Sequence, residues 1–248
     1  MANPDIELMA HLMRRAGFGA TFEELETYAA KGYEATVDEL LTPMEQPDLE
    51  MDLLERYFID WKEMNALEVN QAYLTYRMIN TKRPLQEKMT LFWHGIFCVG
   101  NSKCEHGAQI QTQLNMFREK GMGSFPELLL ALSIDPAMVF YLDNCMSHKD
   151  AINENFGREL LELFAMGVGM DGEANYTEED VKECAGLSQD GLSPMLYLDT
   201  HTGATRPNSP STPPTTITVK KLSKVRPATS TVMTSSTLLS NSLRQEDS

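Results

Sequence analysis

Four polar residues at helical spacing, Asn155, Arg158, Glu159 and Glu162, form the clearest chemical pattern in this chain. They fall at i, i+3, i+4 and i+7 within residues 153–166. Phe156, Leu160, Leu163, Phe164 and Gly167 line the opposite side, which predicts one amphipathic helix with a polar face and a core face. Two carboxylates a turn apart can ligate a divalent metal or divide the roles of general acid and base, and an arginine beside them can hold an anionic group. On that reading Arg158, Glu159 and Glu162 are the catalytic candidates, and Asp143, Asn153 and Asn155 bind substrate. The same residues also fit a solvated helix face, with Arg158 paired to Glu162 and Asn153 or Asn155 acting as cap; both readings stay open.

His94 is the metal candidate. It lies opposite the stripe of Leu85, Met89 and Phe92, on the side of Glu87 two turns earlier. At about 1.5 Å of rise per residue, His94 and Glu87 are roughly 10 Å apart along the axis, too far to share a metal unaided. A metal at His94 therefore needs ligands from elsewhere, and the site is incomplete as the chain is written. The run Asp143, Asn144, His148, Lys149 and Asp150 makes a polar loop without the alternating acids and glycine of a calcium loop. His11, Arg14 and Arg15 read as bases in the last turn of a helix rather than as an anion site. No Gly-x-Ser-x-Gly elbow, Walker loop or HExxH helix occurs.

The elements that must carry these residues are helical. Asn3 and Pro4 open a first helix whose stripe is Ile6, Met9, Ala10 and Met13, with Gly17 as its stop. Thr21 and Glu24 form a capping box for the next helix, and another runs from 33 to 41 before Pro43. A long helical stretch is expected over 49–78. Others are expected over 84–97, where Leu85, Met89, Phe92, Trp93, Ile96 and Phe97 share a face, over 106–120, and over 125–133, halted by Asp135 and Pro136. Thr177 caps a last one. No segment shows a convincing two-residue alternation, so the expected fold is an all-α single domain of roughly eight to ten helices.

That domain covers residues 1–185, and the chain changes character at Ala185. After Tyr197 there is no aromatic residue, between Asp199 and Glu246 there is no acid, and Ser, Thr and Pro dominate, so residues 186–248 read as a disordered or non-native tail. The formal net charge is −15, and six bases against four acids in 186–248 leave −17 for residues 1–185. Such a surface repels phosphate backbones, so no nucleic-acid partner is expected. Four cysteines, Cys98, Cys104, Cys145 and Cys184, suit free thiols better than a disulfide framework or a zinc site. The N-terminus lacks the pattern of a signal peptide and no apolar run reaches membrane-spanning length, so a cytoplasmic chain is expected.

The runs PLQEKMTLFWHGIF at 84–97, DPAMVFYLDN at 135–144, NENFGRELLELFAMGVG at 153–169 and YTEEDVKECA at 176–185, with HLMRRAGFGAT at 11–21, are ordered and collinear. Together they resemble the bacterial "domain of unknown function 1800" family. The resemblance implies no established activity. Two departures matter: Ile96 stands where the family commonly has a second histidine, and after Ala185 the family's RAFTGW and DDHDxGEKTFLG-like runs are missing.

Both runs are permitted one base out of frame. If each shifted codon takes the third base of one residue and the first two of the next, residues 185–192 allow Arg-Ala-Phe-Thr-Gly-Trp-Thr. Residues 214–225 allow Asp-Asp-His-His-Gly-Glu-Lys-Thr-Phe-Gln-Gly in the same register, and Met233 with Thr234 forces an Asp codon. A frameshift near Cys184, in the gene or in its sequencing, is the reading these runs support. It makes the polypeptide a truncated family member without a complete active site. For the intact module it leaves a metal-assisted hydrolase, using a divalent metal, His94, the helix that opens at Asn153 and the lost Asp/His run, or a non-catalytic helical interaction module with a protein partner.

Overall fold

A computed structural model describes residues 4–50, 56–57, 67–146, 153–169 and 175–187. Asn3, the His148–Asp150 part of the polar loop, most of the stretch expected to be helical before Leu67, and residues 188–248 lie outside the described residues. Among those described, the fold is all-α, with eleven α-helices and no strand. In chain order they are α1 (Pro4–Ala16), α2 (Phe22–Lys31), α3 (Tyr33–Leu41), α4 (Leu67–Asn80), α5 (Pro84–Ile96), α6 (Asn101–Cys104), α7 (Gly107–Lys120), α8 (Phe125–Ser133), α9 (Pro136–Tyr141), α10 (Glu154–Glu159) and α11 (Glu178–Leu187). No described helix is long and apolar enough to cross a membrane. The described residues group into two compact units, one of residues 4–101 and 105–128, the other of 102–104 and 129–187.

In the first unit the capping box forms as expected: the Glu24 amide donates to Thr21 Oγ1 at 3.3 Å and the Thr21 amide donates to Glu24 Oε2 at 2.9 Å. The core gathers Met9, Leu12, Met13 and Ala16 of α1, Val37 and Leu40 of α3, Leu85, Met89 and Trp93 of α5, and Leu114 and Phe117 of α7. Trp93 stacks on Phe97 with ring centroids 5.4 Å apart, and its Nε1 donates to the Gly121 carbonyl at 2.7 Å, so the one polar atom of the ring is satisfied inside the core.

Helix α5 is rotated from its expected orientation. Leu85, Met89, Trp93 and Phe97 are buried, but so are Gln86, Glu87 and Thr90, while Phe92 and Ile96, expected on the core side, are exposed. The cause is polar packing. Gln86 Nε2 donates to the Arg118 carbonyl on α7 at 3.0 Å, and Glu87 accepts from Arg118 and from Arg77 of α4. These bonds turn the helix toward its polar flank, a preference that apolar spacing does not contain. Of the stretch expected to be helical over 49–78, Leu49 and Glu50 are not helical, whereas Arg56, Tyr57 and Leu67–Asn80 are.

In the second unit Asp135 and Pro136 do more than halt α8. Asp135 is the N-cap of α9, its Oδ2 accepting from the Met138 amide at 2.8 Å, and Pro136 occupies the first helical turn, where a missing N–H costs nothing. The helix expected over 153–166 has two parts, α10 and a π-helical turn over Leu160–Ala165 closed by the Met166 amide on the Leu161 carbonyl at 2.8 Å. A π-turn inserts one residue into the helical count and rotates the side chains beyond it about the axis. Leu160, as expected, and Leu161 are buried at its start, whereas Leu163, expected in the core, is 64 % exposed.

Helix α11 docks on α10 at Gly157. A Cβ there would stand 2.7 Å from the Val181 carbonyl oxygen and 2.9 Å from the Ala185 amide, so the two backbones meet where only glycine leaves room. Val181, Cys184 and Ala185 are buried at that contact. The Asp180 amide donates to Thr177 Oγ1 at 3.2 Å and the Thr177 amide returns to Asp180 Oδ2 at 2.8 Å, which starts α11 at the expected residue. The four cysteines are free thiols, with Cys104 and Cys184 buried and Cys98 exposed; burial pushes the Cys184 thiol up to about 11.

Candidate functional site

The second unit assembles the residues that spacing singled out, and most of them hold the fold. Asn153 caps α10, its Oδ1 accepting from the Asn155 amide at 2.9 Å. The Nδ2 of the same residue donates to the Leu142 and Asp143 carbonyls at 3.1 and 2.9 Å, tying the chain before the polar loop to the chain after it. Asp143 sits at a φ of 56°, a left-handed conformation that Asp tolerates better than most residues. Its carboxylate takes a hydrogen bond from Lys103 Nζ at 2.7 Å, and that ammonium also lies 5.6 Å from the centre of the Tyr141 ring. Asn155 is exposed to solvent.

Arg158 does not pair with Glu162. It makes two parallel bonds to Glu178 at the start of α11, Nη1 to Oε1 at 2.9 Å and Nη2 to Oε2 at 2.7 Å. The guanidinium holds the Glu178 carboxyl below its ordinary value, and Glu178 in turn raises Arg158. Glu162 instead accepts from the Tyr176 hydroxyl at 2.8 Å, and that hydrogen bond to a carboxylate raises the Tyr176 phenol. Both partners come from residues 175–187, so Arg158 and Glu162 tie the expected helix to α11 and to the residue leading into it, from a polar face on which Asn155 stays exposed. Glu159, half-buried and next to Arg158, is the carboxylate whose role the fold does not absorb.

The first unit holds His94 and a cluster that spacing did not reveal. His94 is half-buried against α7; burial lowers its imidazole below the ordinary histidine value, offset in part by a hydrogen bond with the Gln113 side chain. Among the described residues its Nδ1 is buried with no hydrogen-bond partner. Glu87 is fully buried and takes Arg77 Nε and Arg118 Nε on the same oxygen, Oε1, each at 2.7 Å, with Arg118 Nη2 on Oε2 at 3.1 Å. Arg77 continues to Tyr73 OH at 3.2 Å and Asp48 Oδ1 at 2.8 Å, and Arg118 to Asn115 Oδ1 at 2.6 Å.

Burial works against the Arg77 charge, but Glu87 outweighs it and the Arg77 pKa rises. Burial likewise raises Asp48, but the Leu49 amide, then Arg77, outweigh it and leave Asp48 below its ordinary value. The cluster fits a structural knot: two guanidiniums and two carboxylates balance, and Glu87 accepts three hydrogen bonds from the two arginines. A signal for it was present in Arg77 and Arg118, each one residue or one turn from a buried aromatic, Phe117 or Tyr73.

Among the described residues, no group of three His, Cys, Asp or Glu side chains stands together where it could hold a metal ion. His94 belongs to the first unit and Asp143, Asn153, Asn155, Arg158, Glu159 and Glu162 to the second. No curated protein and no solved structure matches the chain. The family model described as "Protein of unknown function (DUF1800)" matches residues 11–187. That span takes in His94, the buried Glu87 cluster, the Asn153 cap and the α10–α11 contact, and it covers well over half of the chain, which therefore belongs to the DUF1800 family.

Proposed function

We propose that this polypeptide is a truncated DUF1800 member that carries the helical part of the module without a complete active site. The observation that carries this is the end of the family match at residue 187, two residues past the point where the codons of Ala185 onward begin to permit the family's continuation in another frame. The engagement of Arg158, Glu162, Asp143 and Asn153 in hydrogen bonds that join elements of the second unit supports the same reading.

A metal-assisted hydrolase is the reading for the intact module. The unpartnered Nδ1 of His94 and its lowered pKa favour it, because a neutral imidazole is the ligand form. The Asp and His codons permitted downstream would supply the missing donors, and Glu159 is the carboxylate left for a proton-transfer role. A non-catalytic interaction module is favoured instead by the apolar side chains that α5 leaves exposed. Calorimetric titration with zinc and with manganese separates these readings. The chain as written is expected to bind neither stoichiometrically, and a chain with the frame restored is expected to bind one of them and to lose it in His94→Gln. Stoichiometric binding by the chain as written would overturn the truncated-site reading; none by the restored chain would leave the interaction module.

A further inference from the structure

Residues 43–50 follow α3 as a strap that side chains of α4 and of the α5 N-cap hold in place. Arg83, the N-cap of α5, donates Nε and Nη2 to the Gln46 carbonyl at 2.8 and 2.6 Å. Arg77 Nη2 donates to Asp48 Oδ1 at 2.8 Å, and the Tyr76 hydroxyl donates to the Glu50 carbonyl at 3.2 Å. A fourth tie is weaker in kind. Arg83 Nη1 donates to Met44 Sδ at 3.9 Å, and a thioether sulfur is a poor acceptor for a guanidinium. Met44 is also 75 % exposed, whereas Met9, Met13, Met89 and Met138 are buried among core side chains.

We propose that Met44 is a reversible oxidation site whose sulfoxide tightens the strap through Arg83. A hydroperoxide supplies the oxygen: a sulfur lone pair attacks one peroxide oxygen, the S–O bond forms as the O–O bond breaks, and the other oxygen leaves as water or alcohol with the proton of the first. Sulfur loses two electrons and the peroxide gains them. Sulfoxide usually disrupts because it places a polar group in a core, but Met44 is in solvent, so the added oxygen needs no desolvation. That oxygen is a strong acceptor beside a guanidinium N–H that now has a weak one, and a charge-assisted bond replaces the sulfur contact. The strap also carries Asp48, so the oxidised form holds the exposed edge of the Arg77 and Glu87 cluster more firmly. The device lies within residues 43–83 and is independent of the truncation.

Amide hydrogen exchange on the full chain tests this. The Glu45 and Gln46 amides, which donate to the Thr42 and Pro43 carbonyls, report opening of the strap. Met44→Gln places a carbonyl oxygen where the sulfoxide would have one, and Met44→Leu keeps an apolar side chain. Exchange at Glu45 and Gln46 is expected to be slower in Met44→Gln than in Met44→Leu by about 2–10-fold, the worth of one hydrogen bond in a local opening. Hydrogen peroxide treatment is expected to oxidise Met44 before the buried methionines, to slow the same two amides, and to be reversed by methionine sulfoxide reductase. Equal or faster exchange in Met44→Gln, or in chains whose Met44 is oxidised, would overturn the proposal. The same slowing in an Arg83→Ala background would overturn it too, because the oxygen would then act without the guanidinium.

Discussion

Arg77 and Arg158 carry the same guanidinium and each pairs with a glutamate, yet the two pairs live in different solvents. The Arg77 and Glu87 side chains in the first unit are 5 % and 0 % exposed, whereas Arg158 and Glu178 in the second are 38 % and 67 % exposed. A buried charge is held in place by the cost of leaving its partner alone, so the first pair fixes how α4, α5 and α7 meet. An exposed pair gains little over water and is screened by salt, so the second pair orients α11 while Gly157 and the apolar contact around Val181 hold it. Identical chemistry is thus a lock in one unit and a guide in the other.

The largest effect should come from breaking the lock. Glu87→Ala leaves Arg77 and Arg118 buried without their shared acceptor and is expected to destabilise the protein by about 3–5 kcal/mol, read as a shift in the urea midpoint. A loss below about 1 kcal/mol would mean that water reaches the cluster and that the contrast between the units is wrong. Gly157→Ala comes next: its Cβ meets backbone rather than a side chain that can turn away, so a loss of about 1–3 kcal/mol is expected, with cooperative melting of the second unit weakened. Asn153→Ala removes a helix cap and two bonds to the Leu142 and Asp143 carbonyls, and a loss of about 1–2 kcal/mol is expected. Arg158→Gln should be the mildest, with a change within error in 1 M salt; a large effect there would make the exposed pair a second lock.

Acidification sharpens the comparison in two steps. His94 has a folded pKa below its unfolded value of about 6.5, so the unfolded chain binds the proton first and stability rises with pH up to that value. Below about 6.5 stability should fall as pH drops toward the folded value, and His94→Gln should remove this step. Glu24, Asp48, Glu178 and Asp180 are all held below ordinary carboxyl values of about 4, so their contributions are present above that range and are lost as pH falls through their folded values. A melting midpoint flat from pH 7 to pH 5 would remove the burial assigned to His94.

The sequence disclosed what is local. Thr21 with Glu24 and Thr177 with its next turn cap their helices, and the all-α class is legible from spacing alone. Three things needed the tertiary structure. The rotation of α5 depends on Arg77 and Arg118, ten and thirty-one residues from Glu87. The π-turn at Leu160–Ala165 shifts the helical count by one, which periodicity cannot register. The partner of Arg158 is twenty residues away on another helix, so an intrahelical pair with Glu162 was the natural but mistaken assignment. In the candidate site, the residues were identifiable by type while their partners were not. The exposed apolar side chains Leu91, Phe92 and Ile96 also lead to an expected outcome in solution: the chain as written should self-associate, and a cooperative, monomeric melt of residues 1–185 would contradict that.

The central claim, that the folded part is a DUF1800 module cut short, is tested most directly by resequencing the source DNA across the codons for residues 184–191. The account predicts one missing or extra base there, after which Ala185 is followed by codons for Arg-Ala-Phe-Thr-Gly-Trp. An intact frame as written would contradict it, and the interaction module would then be the better reading of this chain.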